Sequence, residues 1–531
     1  MSHILLIGFM GAGKSRVGAG LAGKLGRRFI DLDREIERIA GRTVSEIFLR
    51  DGEDGFREIE HVALESLVEI PDCVVACGGG IVLRDENRAL LKRLGRVAYL
   101  AVSAEEAIAR IGDTAGRPLL AGDAAQLAPR ILEARLSLYR AVAEITIDTN
   151  GRGVDEVLAE LLEALDSAVI TRVSVRTNPA YDIIVAHGLM AEMGQIITDV
   201  VGAKRYVVVT DATVGPLYAD SLLEGLRCGG VVAECIAVKE GEESKNWGTA
   251  GELVERMAQA RLGRDGAVVA LGGGVVGDLA GFSAAVYTRG VPVIQVPTTL
   301  LAQVDSSIGG KTGVDLASGK NLAGAFWQPA LVLSDTSLLR SLPDTEWVNG
   351  LVEVAKTALL AGEKETVVLE ANARHLVARD DVAVLDTVVA CARFKASVVG
   401  DDERESGRRE CLNFGHTLGH ALENVLGYGT ISHGRAVGLG IRFAARLAEA
   451  AIGSSPLLTA RVDALLDSLG AYAIPIGSCS AEQLVDAMLS DKKTRGGILR
   501  FILMRAPGEW EVVPLEVDMV KMELERMLRD E

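Results

Sequence analysis

The sequence feature that most constrains the fold lies at the start of the chain. A short apolar run, HILLIG, is followed at once by GFMGAGKS and then by a helix-like stretch, RVGAGLAGKLG. Gly8, Gly13, Lys14 and Ser15 have the spacing of a phosphate-binding loop between a strand and a helix. In such a loop, backbone N–H groups surround a phosphate, the lysine reaches further phosphate oxygens and the hydroxyl holds Mg²⁺. The pattern therefore predicts a phosphate site at a strand–helix junction.

Polar groups that could complete this site follow at two further strand ends. Asp31 and Asp33 end the run RRFIDLD and face the same way, because they are two residues apart on a strand. A solvated strand end is the alternative, but beside a phosphate loop the pair fits a magnesium carboxylate and a substrate contact. The strand CVVACGGG ends in three glycines, which indicate a ligand close to the backbone. Arginines follow in helices and Gly-rich loops at Arg57, Arg110, Arg117 and Arg135.

These motifs resemble the shikimate kinase family over the whole first segment. GFMGAGKS, DLD, FR, GGG, RPLL and the arginine before LY occur in the family's order. The resemblance implies phosphorylation of the 3-hydroxyl of shikimate by ATP with Mg²⁺. Gluconate and nucleoside-monophosphate kinases share the loop, but paired distant arginines favour a small hydroxy acid, whose carboxylate suits forked guanidinium partners.

The family pattern also implies a role for each matching residue. Asp33 would contact the ring hydroxyls, Arg57 and Arg135 would hold the carboxylate, and Gly79 would offer its backbone. The residues implied for the nucleotide are Gly11, Ala12, Gly13, Lys14, Ser15, Arg16, Arg110 and Arg117. Ser15 and Asp31 would hold Mg²⁺, and Lys14 and Asp33 would act in catalysis.

Composition restricts the partners and the compartment of the protein. The net charge of −17 disfavours nucleic acid and anionic membranes as partners, so an anionic substrate needs a local basic pocket. The 7 cysteines are scattered without a CxxC pair, which favours a reduced, cytoplasmic setting. No uncharged run is long enough for a membrane span, and the first residues lack the basic region of a signal peptide.

The domain boundary is predicted near the end of the first third of the chain. GVDEVLAELLEALDSAV has the pattern of an amphipathic closing helix, and TRVSVRTNPAYDIIVAHG restarts with strand-like alternation. We place the junction near Ser167–Arg172 and expect domains at residues 1–168, 169–334 and 335–531.

Glycine-rich turns in the second segment indicate further sites for phosphate groups of ligands. DGAVVALGGGVVGDLAGFSAA has the pattern of a strand, a glycine turn and a helix. The strict GxGxxG spacing is absent, yet such glycines bring N–H groups to a pyrophosphate at a helix N-terminus. Lys311, Lys320 and Asn321 stand beside later glycine turns and suit a phosphate site, although a solvated loop is the alternative.

A histidine-rich stretch predicts a metal site. Of the 7 histidines, His416, His420 and His433 lie within LNFGHTLGHALENVLGYGTISHG. The first two leave one helix face, and the third follows a turn that can fold back. An isolated HxxxH is more often a packing pair, but Glu353 in the helical pattern NGLVEVAKTALL completes a Glu/His/His set, with Lys356 beside it. A carboxylate and two imidazoles with an open position form a Lewis-acid site.

These residues together resemble the 3-dehydroquinate synthase family over the whole second segment. GEESK, GGGVVGD, PTT, DSSIGGKTGV, GKN, EVAK, LNFGHTLGHA and DKK appear in the family's order. The resemblance implies Zn²⁺ (or Co²⁺) on Glu353, His416 and His433, and NAD as a recycled cofactor. It further implies cyclisation of 3-deoxy-D-arabino-heptulosonate 7-phosphate to 3-dehydroquinate with release of phosphate, and a homodimer formed through this segment.

The resemblance assigns the remaining site residues by position. The ring and carboxylate of the substrate are implied to lie among Asp305, Lys356, Lys395, Arg409, Asn413 and His420. The substrate phosphate is implied to meet Lys311, Asn321 and Arg289, the last from a neighbouring subunit, with Lys492 or Lys493 nearby. NAD is implied to contact Asp211, Glu242, Lys245, Gly274, Val275, Val276, Gly277, Asp278, Thr298, Thr299, Lys311, Lys320, Leu338 and Ser341.

Two positions depart from the family pattern. Arg435 in HGRAV stands where an acid is expected and adds positive charge close to the metal, which bears on metal affinity. Ser341 replaces a threonine in the turn before Leu342 and Pro343 and keeps the hydroxyl.

The two resemblances imply an α/β protein in two parts. A P-loop kinase with a parallel sheet and flanking helices precedes an α/β NAD-binding domain and an α-helical metal-binding domain. Another sugar-phosphate cyclase or a glycerol-dehydrogenase-like oxidoreductase is the alternative for the second part, and a non-catalytic stabilising module for the first. GGKTGV and GKN favour a phosphate-bearing substrate, and intact Lys14, Ser15, Asp33 and Arg57 favour an active kinase. The two implied reactions are not consecutive, so we expect no channelling.

Overall fold

The computed structural model describes residues 3–70, 72–111, 124–166, 170–427, 430–473, 476, 479–490 and 498–530. The chain divides into two compact units, Met1–Val169 and Ile170–Glu531. Each unit has its own sheet and its own apolar core.

The first unit alternates strands and helices along the chain. Its described strands are β1 (His3–Ile7), β2 (Arg28–Asp31), β3 (Cys73–Ala76), β4 (Gly95–Ala101) and β5 (Ile145–Asp148). Its described helices are α1 (Lys14–Leu25), α2 (Leu32–Ala40), α3 (Val44–Glu65), α4 (Asp85–Leu94), α5 (Ala104–Ile111), α6 (Ala124–Val142) and α7 (Val154–Asp166). The strands pair in parallel in the order β2-β3-β1-β4-β5.

The central strand β1 is covered on both faces. Leu5 and Ile7 lie in one apolar cluster, and Ile4 and Leu6 lie in another, because successive side chains of a strand point to opposite faces. Such two-sided burial is typical of a parallel sheet between layers of helices. The carboxyl end of β1 therefore leads directly into the phosphate loop, residues 8–13.

The second unit begins with a second α/β sheet. The described strands of this unit are β6 (Thr171–Val175), β7 (Tyr181–Ala186), β8 (Arg205–Asp211), β9 (Val232–Val238), β10 (Ala267–Gly272), β11 (Val293–Pro297), β12 (Lys311–Leu316), β13 (Gly319–Phe326), β14 (Leu331–Asp335), β15 (Leu499–Ala506) and β16 (Glu509–Leu515). The main sheet has the order β6-β7-β14-β11-β10-β8-β9, with β6 antiparallel and the other neighbours parallel.

Helices pack on this sheet and then form a separate layer. The described helices are α8 (Met190–Val201), α9 (Gly215–Cys228), α10 (Trp247–Gln259), α11 (Gly274–Val286), α12 (Asp344–Ala361), α13 (Glu363–Val377), α14 (Asp381–Asp401), α15 (His416–Leu426), α16 (His433–Ile452), α17 (Pro456–Ser468), α18 (Ala481–Ser490) and α19 (Val517–Asp530). Helix α12 is buried on every side from Asn349 to Leu360, as expected for a helix that is apolar around most of its circumference.

Two antiparallel hairpins interrupt this pattern. β12 pairs with β13, and β15 pairs with β16. The second hairpin lies within the segment that the sequence predicts to be helical. In β15, the four successive residues from Phe501 to Met504 are buried, so both faces of the strand are covered there. Gly508 takes a positive φ of 83° in the turn, which glycine adopts readily.

The fold class predicted from the sequence is confirmed, with a parallel sheet in the first unit and a helical region after the α/β part of the second. Among the residues that the structure describes, no helix combines the length and the apolar character needed to cross a membrane.

Candidate active sites

The phosphate loop of the first unit is shaped by glycine. Gly11 has a φ of 79°, and a Cβ atom there would lie 2.6 Å from the carbonyl oxygen of Ala107 in α5. The Lys14 ammonium donates hydrogen bonds to the carbonyl oxygens of Gly8 at 2.8 Å and Phe9 at 2.9 Å. The loop therefore wraps around the lysine at the N-terminus of α1, where an anion is favoured.

The two residues predicted for Mg²⁺ are brought together at the end of this loop. Ser15 in the first turn of α1 donates from Oγ to Asp31 Oδ2 at 2.7 Å. A hydroxyl and a carboxylate are hard oxygen donors, so the pair fits a magnesium ion. Of the neighbouring residues predicted to meet the nucleotide, Ala12 is buried and Arg16 is exposed.

The residues predicted to bind shikimate surround the glycine segment 78–80. Arg135 Nη1 donates to the carbonyl oxygen of Gly79 at 3.1 Å. A Cβ atom at Gly78 would lie 3.0 Å from Asp33 Oδ1, and one at Gly80 would overlap the Arg57 guanidinium. All four predicted residues therefore meet along one backbone segment, where a side chain would fill the space.

Glu60 is a member of this cluster that the sequence analysis missed. Its Oε2 accepts a hydrogen bond from Arg57 Nη1 at 2.8 Å, and its buried Oε1 has no hydrogen-bond partner. Burial raises the pKa of Glu60, while the charge of Arg57 opposes that rise. The three-residue spacing from Arg57 on α3 places both on one helix face and could have identified it.

Tyr139 on α6 is a second residue that the sequence analysis missed. Its hydroxyl donates to the Gly79 carbonyl oxygen beside Arg135. Burial raises the pKa of Tyr139 to about 12, so the phenol stays protonated and remains a donor.

The structure describes only one of the two later arginines, Arg110 and Arg117, that are predicted to meet the nucleotide. Arg110 at the end of α5 donates from Nε to Glu106 at 3.1 Å and from Nη1 to the Thr149 hydroxyl at 3.1 Å. Arg117 lies outside the described residues, as do Lys492 and Lys493 of the second unit.

In the second unit, the predicted metal ligands converge. Ligand atoms of Glu353, His416 and His433 all lie within 4.8 Å of one another. The Nε2 atoms of the two histidines are 3.7 and 3.8 Å from Glu353 Oε1. His420 stands beside them, with its ring centroid 5.4 Å from that of His416.

Hydrogen bonds from Nδ1 orient both imidazoles. His416 Nδ1 lies 3.2 Å from the Phe414 carbonyl oxygen, and His433 Nδ1 lies 3.3 Å from Glu423 Oε2. Because these oxygens only accept, the Nδ1 atoms carry the protons and the Nε2 lone pairs face Glu353. Burial acts to raise the pKa of Glu423, but the hydrogen bond from His433 opposes it and the pKa is lowered to about 2.

The environment of Glu353 fits a bound cation. The residue is 1% exposed, its Oε2 contacts the Lys356 ammonium, and its Oε1 has no hydrogen-bond partner. A buried carboxylate oxygen facing two imidazole lone pairs is unfavourable unless a positive charge lies between them. One carboxylate and two imidazoles suit Zn²⁺ or Co²⁺.

A cluster of predicted catalytic residues adjoins this site. Asp305 lies in a single π-helical turn, Ala302–Ser306, a conformation frequent at functional sites. Lys395 Nζ is 2.5 Å from Asp305 Oδ1, and Lys356 Nζ is 4.0 Å from Asp305 Oδ2. Burial acts to raise the pKa of Asp305, but the two ammonium groups lower it below its usual range. Burial lowers the pKa of Lys395 to about 8.

Glu405, which the sequence analysis missed, joins two predicted substrate residues. Its carboxylate accepts from Asn413 Nδ2 at 2.7 Å and lies 2.5 Å from Lys311 Nζ. Arg409 is buried nearby and donates to the carbonyl oxygens of Gly309 at 2.8 Å and Glu403 at 2.5 Å. Glu405 sits in the acidic run DDERE, where nothing in the sequence distinguishes it from the neighbouring acids.

Of the remaining predicted phosphate-binding residues, Lys320 and Asn321 lie at the start of β13 and Arg289 lies on a turn. Asn321 has a φ of 54°, and its N–H donates to Asp315 Oδ1 at 2.7 Å. Lys320 Nζ lies 3.3 Å from Glu423 and 3.5 Å from Glu242. Arg289 is exposed at the end of the turn Tyr287–Arg289, with a φ of 71°.

The residues predicted to bind NAD gather at the carboxyl ends of parallel strands. Asp211 ends β8, Gly274 begins α11 after β10, and Thr298 follows β11. In an open parallel sheet, this edge is where ligands bind. A Cβ atom at Gly273 would lie 3.0 Å from the Thr299 side chain, so two predicted segments are in close contact.

Two ion pairs and one hydroxyl cluster border this edge. Lys245 Nζ is 2.6 Å from Asp278 Oδ2 and 4.0 Å from Glu242 Oε1. Burial acts to lower the pKa of Lys245, but the charge of Asp278 raises it. The Tyr218 hydroxyl lies 3.1 Å from the Leu338 carbonyl oxygen and 2.7 Å from Ser341 Oγ. Val275, Val276 and Gly277 form the first turn of α11.

Both units match models of known families. Residues 10–166 match the model of the shikimate kinase family. Residues 235–349 and 350–494 match the models of the N-terminal and C-terminal parts of 3-dehydroquinate synthase.

Individual relatives resemble the second unit. The 3-dehydroquinate synthase of Pelobacter propionicus is 43% identical over 339 residues, which are 64% of this chain and 94% of that protein. The crystal structure of 2-deoxy-scyllo-inosose synthase with carbaglucose-6-phosphate, NAD⁺ and Co²⁺ is 25% identical, with a TM-score of 0.62 over 67% of this chain and 99% of that one. The 2-epi-5-epi-valiolone synthase of Streptomyces hygroscopicus, with NAD⁺ and Zn²⁺, is 26% identical, with a TM-score of 0.61 over 68% of this chain and 100% of that one.

The matched families account for the motifs of both units, and the high identity to a 3-dehydroquinate synthase excludes the reading of the second unit as a glycerol-dehydrogenase-like oxidoreductase. The chain is therefore a bifunctional shikimate-pathway enzyme that belongs to the 3-dehydroquinate synthase family and carries a shikimate kinase domain in its first unit.

Proposed function

We propose that the first unit binds ATP and Mg²⁺ at the phosphate loop and shikimate along the glycine segment 78–80. The Lys14 ammonium, which donates to two loop carbonyls, would turn to the phosphate oxygens. Ser15 and Asp31 would hold Mg²⁺, which neutralises phosphate charge when bound. Asp33 would accept a hydrogen bond from the attacking hydroxyl.

The two arginines of this pocket are proposed to hold the carboxylate of shikimate. Arg57 and Arg135 contact the same three-glycine segment from α3 and α6. A guanidinium presents two parallel donors to a planar carboxylate, so the arginines would fix the acid end and present the ring hydroxyls to Asp33.

For the second unit, we propose that Glu353, His416 and His433 hold a divalent metal and that NAD binds at the edge formed by β8, β10 and β11. The carrying observation is the convergence of the three ligand atoms within 4.8 Å around a carboxylate oxygen that has no hydrogen-bond partner. The NAD⁺ with Co²⁺ or Zn²⁺ in two structural relatives supports this proposal. When bound, the metal supplies Lewis acidity toward a substrate hydroxyl, and NAD supplies reversible hydride transfer.

The basic residues around the metal ligands are proposed to bind the heptulosonate phosphate. Lys356 and Lys395 flank Asp305, and these three would orient the substrate hydroxyls. Arg409 and Asn413 would bind the carboxylate. Lys311 and Asn321 would take the phosphate, where Lys311 exchanges its contact with Glu405 for the substrate anion.

Two substitutions test these assignments, and each serves as the control for the other. Lys14→Met should lower shikimate phosphorylation at least about 100-fold, because the charge on the phosphates is uncompensated, and leave dehydroquinate formation unchanged. Glu353→Gln should abolish metal retention and dehydroquinate formation and leave phosphorylation unchanged. Phosphorylation that survives Lys14→Met, or metal binding that survives Glu353→Gln, contradicts the assigned site.

We further propose the domain limits 1–168, 169–334 and 335–531, a cytoplasmic location and a homodimer formed through the second part. The contact-based division after Val169 and the seven free cysteines are compatible with the first two proposals. Sedimentation of the intact chain should give twice the monomer mass, and a monomer at micromolar concentration would contradict the dimer.

A further inference from the structure

Side chains of alternating charge connect Glu242, in the segment proposed to bind NAD, with the proposed metal ligand His433. Glu242 Oε1 lies 3.5 Å from Lys320 Nζ. That ammonium lies 3.3 Å from Glu423 Oε1, and the second oxygen of Glu423 lies 3.3 Å from His433 Nδ1. The Lys320 ammonium therefore lies between the carboxylates of Glu242 and Glu423.

The hairpin that carries Lys320 is held at the segment proposed to bind NAD, whereas the Lys320 side chain contacts Glu423 next to the proposed metal ligands. It is the second residue of β13, and the β12–β13 hairpin is tied to the segment 242–245 by a hydrogen bond from Asp315 N–H to the Lys245 carbonyl oxygen at 2.8 Å. The same Asp315 accepts from Asn321 N–H at 2.7 Å, next to Lys320. Glu423, in contrast, lies on α15 with two of the histidines.

Burial makes these contacts energetically relevant. The side chain of Glu423 is 7% exposed, that of Lys320 is 26% exposed and that of Glu242 is 39% exposed. Charges interact more strongly where water is partly excluded than on an open surface. A carboxylate as buried as Glu423 requires its partners, because an unpaired charge at that depth is costly.

We propose that Glu423 is a positioning residue for the metal ligand His433 and that Lys320 couples the NAD site to the metal site through Glu423. The inference rests on the proposed function, since it needs metal at Glu353, His416 and His433 and NAD near Glu242.

Each contact has a defined physical effect. Glu423 accepts a hydrogen bond from the Nδ1–H group of His433, so that Nε2 keeps its lone pair toward the metal and gains basicity. A dinucleotide that holds the segment 242–245 also holds the hairpin and keeps the Lys320 ammonium against Glu423. NAD and metal therefore favour each other's binding, and the factor must be the same in both directions.

The positioning role is tested through zinc affinity measured by chelator competition on the full chain without NAD. Glu423→Gln should weaken zinc binding about 10- to 100-fold, the usual effect of losing the outer partner of a ligating histidine. Glu482→Gln, an exposed acid on α18, should leave the affinity unchanged. Unchanged zinc affinity in Glu423→Gln would overturn the positioning role.

The coupling is tested by repeating the zinc titration at saturating NAD. In the unmodified chain, NAD should tighten zinc binding at least about 5-fold, and zinc should tighten NAD binding by the same factor. Lys320→Met should reduce the factor to about 1, Lys320→Arg should restore it, and Lys364→Met, an exposed lysine on α13, should keep it. A factor of about 1 in the unmodified chain, or a full factor in Lys320→Met, refutes the coupling.

Failure of the inference can be told apart from failure of the proposed function. Zinc that stays bound in Glu353→Gln refutes the metal site itself. If Glu353→Gln loses zinc but the coupling between NAD and zinc does not change in Lys320→Met, the metal site is supported. Only the proposed role of Lys320 in the coupling is then refuted. Thermal unfolding of every variant identifies those that lose affinity by unfolding.

Discussion

At the scale of single residues, buried and half-buried acids decide how the basic groups of both sites are held. Glu60, Glu405 and Glu423 each pair with a residue that the sequence predicts to bind substrate, cofactor or metal. An arginine or lysine held by a carboxylate has a fixed geometry before the ligand arrives, which lowers the entropic cost of binding.

The pair of Glu60 and Arg57 leads to a prediction on substrate affinity. Glu60→Gln removes the charge that orients the Arg57 guanidinium, so the KM for shikimate should rise about 10-fold, the loss expected for one charge-assisted hydrogen bond. The KM for ATP should stay within about 2-fold, because the phosphate loop is untouched. Steady-state kinetics of the kinase reaction provide the measurement. Glu58→Gln, an exposed acid on the same helix, is the control, and an equal rise in both KM values would contradict the role.

His3 leads to a prediction on the pH dependence of stability. The ring is 1% exposed, with Nε2 3.1 Å from the Leu67 carbonyl oxygen and Nδ1 accepting from Cys73 N–H at 3.2 Å. Burial lowers the pKa of His3 below its ordinary value, so the unfolded chain takes up the proton first as pH falls. The contribution of His3 to stability is therefore complete above about pH 6.5 and is lost as pH falls through the folded pKa.

Hydrogen exchange of β1 and β3 amides in the full chain measures this effect. Protection, corrected for intrinsic exchange rates, should fall as the pH is lowered below about 6.5, the ordinary pKa of histidine. His3→Gln should remove the titrating contribution, whereas His375→Gln, exposed on α13, should keep it. An unchanged pH dependence in His3→Gln would show that another group is responsible.

At the scale of elements, a close helix contact sets the distance between two metal ligands. A Cβ atom at Gly440 of α16 would overlap the carbonyl oxygen of Gly415, the residue before His416. A Cβ atom at Gly415 would lie 2.6 Å from the Ile441 side chain. The two helices thus approach at their glycines, and this approach brings His416 of α15 to His433 of α16.

Gly440→Ala should separate the two helices. The added methyl group should destabilise the second unit by about 1–3 kcal/mol, as is usual for overpacking, and should weaken metal retention because the ligands move apart. Calorimetry and metal analysis after gel filtration provide the measurements. Gly438→Ala is the matched control, because a Cβ atom there would lie at an ordinary 3.7 Å from Val352. Equal behaviour of the two variants would contradict the packing explanation.

At the scale of the whole molecule, the residues predicted for the two reactions lie in different units. Each unit also has a separate apolar core. We therefore expect the two sites to work independently, because the two reactions are not consecutive in the pathway.

Separate expression of residues 1–168 and 169–531 should preserve both activities. Turnover numbers should stay within about 2-fold of those of the intact chain, because independent sites contribute additively. The mixed halves should process substrates at the rate of the intact protein. Activity that appears only in the fused chain, or an intermediate protected only there, would refute this independence.

Removal of transition metal should separate the two activities in the intact chain. Prolonged treatment with a strong chelator should abolish dehydroquinate formation, because the Glu353 site loses its ion. Shikimate phosphorylation should return fully with fresh Mg²⁺, which enters with the nucleotide. Restoration of dehydroquinate formation by Mg²⁺ alone would contradict a transition-metal site.

Local sequence patterns are sufficient to predict several structural elements of this protein. The strand–loop–helix at Lys14, the glycine turn before Gly274 and the buried helix that carries Glu353 follow from short runs of sequence, because backbone conformation depends mostly on neighbouring residues. The β15–β16 hairpin was missed because the surrounding residues have a helical pattern and because the successive buried residues Phe501–Met504 of β15 lack the alternation typical of a strand.

Only the tertiary structure decided which distant side chains meet. Glu423 is close to His433 in sequence, but its contact with Lys320, 103 residues away, depends on how a hairpin packs against α15. Glu405 lies in an acidic run whose members the sequence does not distinguish, and its contacts with Lys311 and Asn413 are visible only in the structure. Residue types and their local spacing determine which chemistry is available, whereas the partner of each buried charge depends on contacts through space, which sequence separation does not encode.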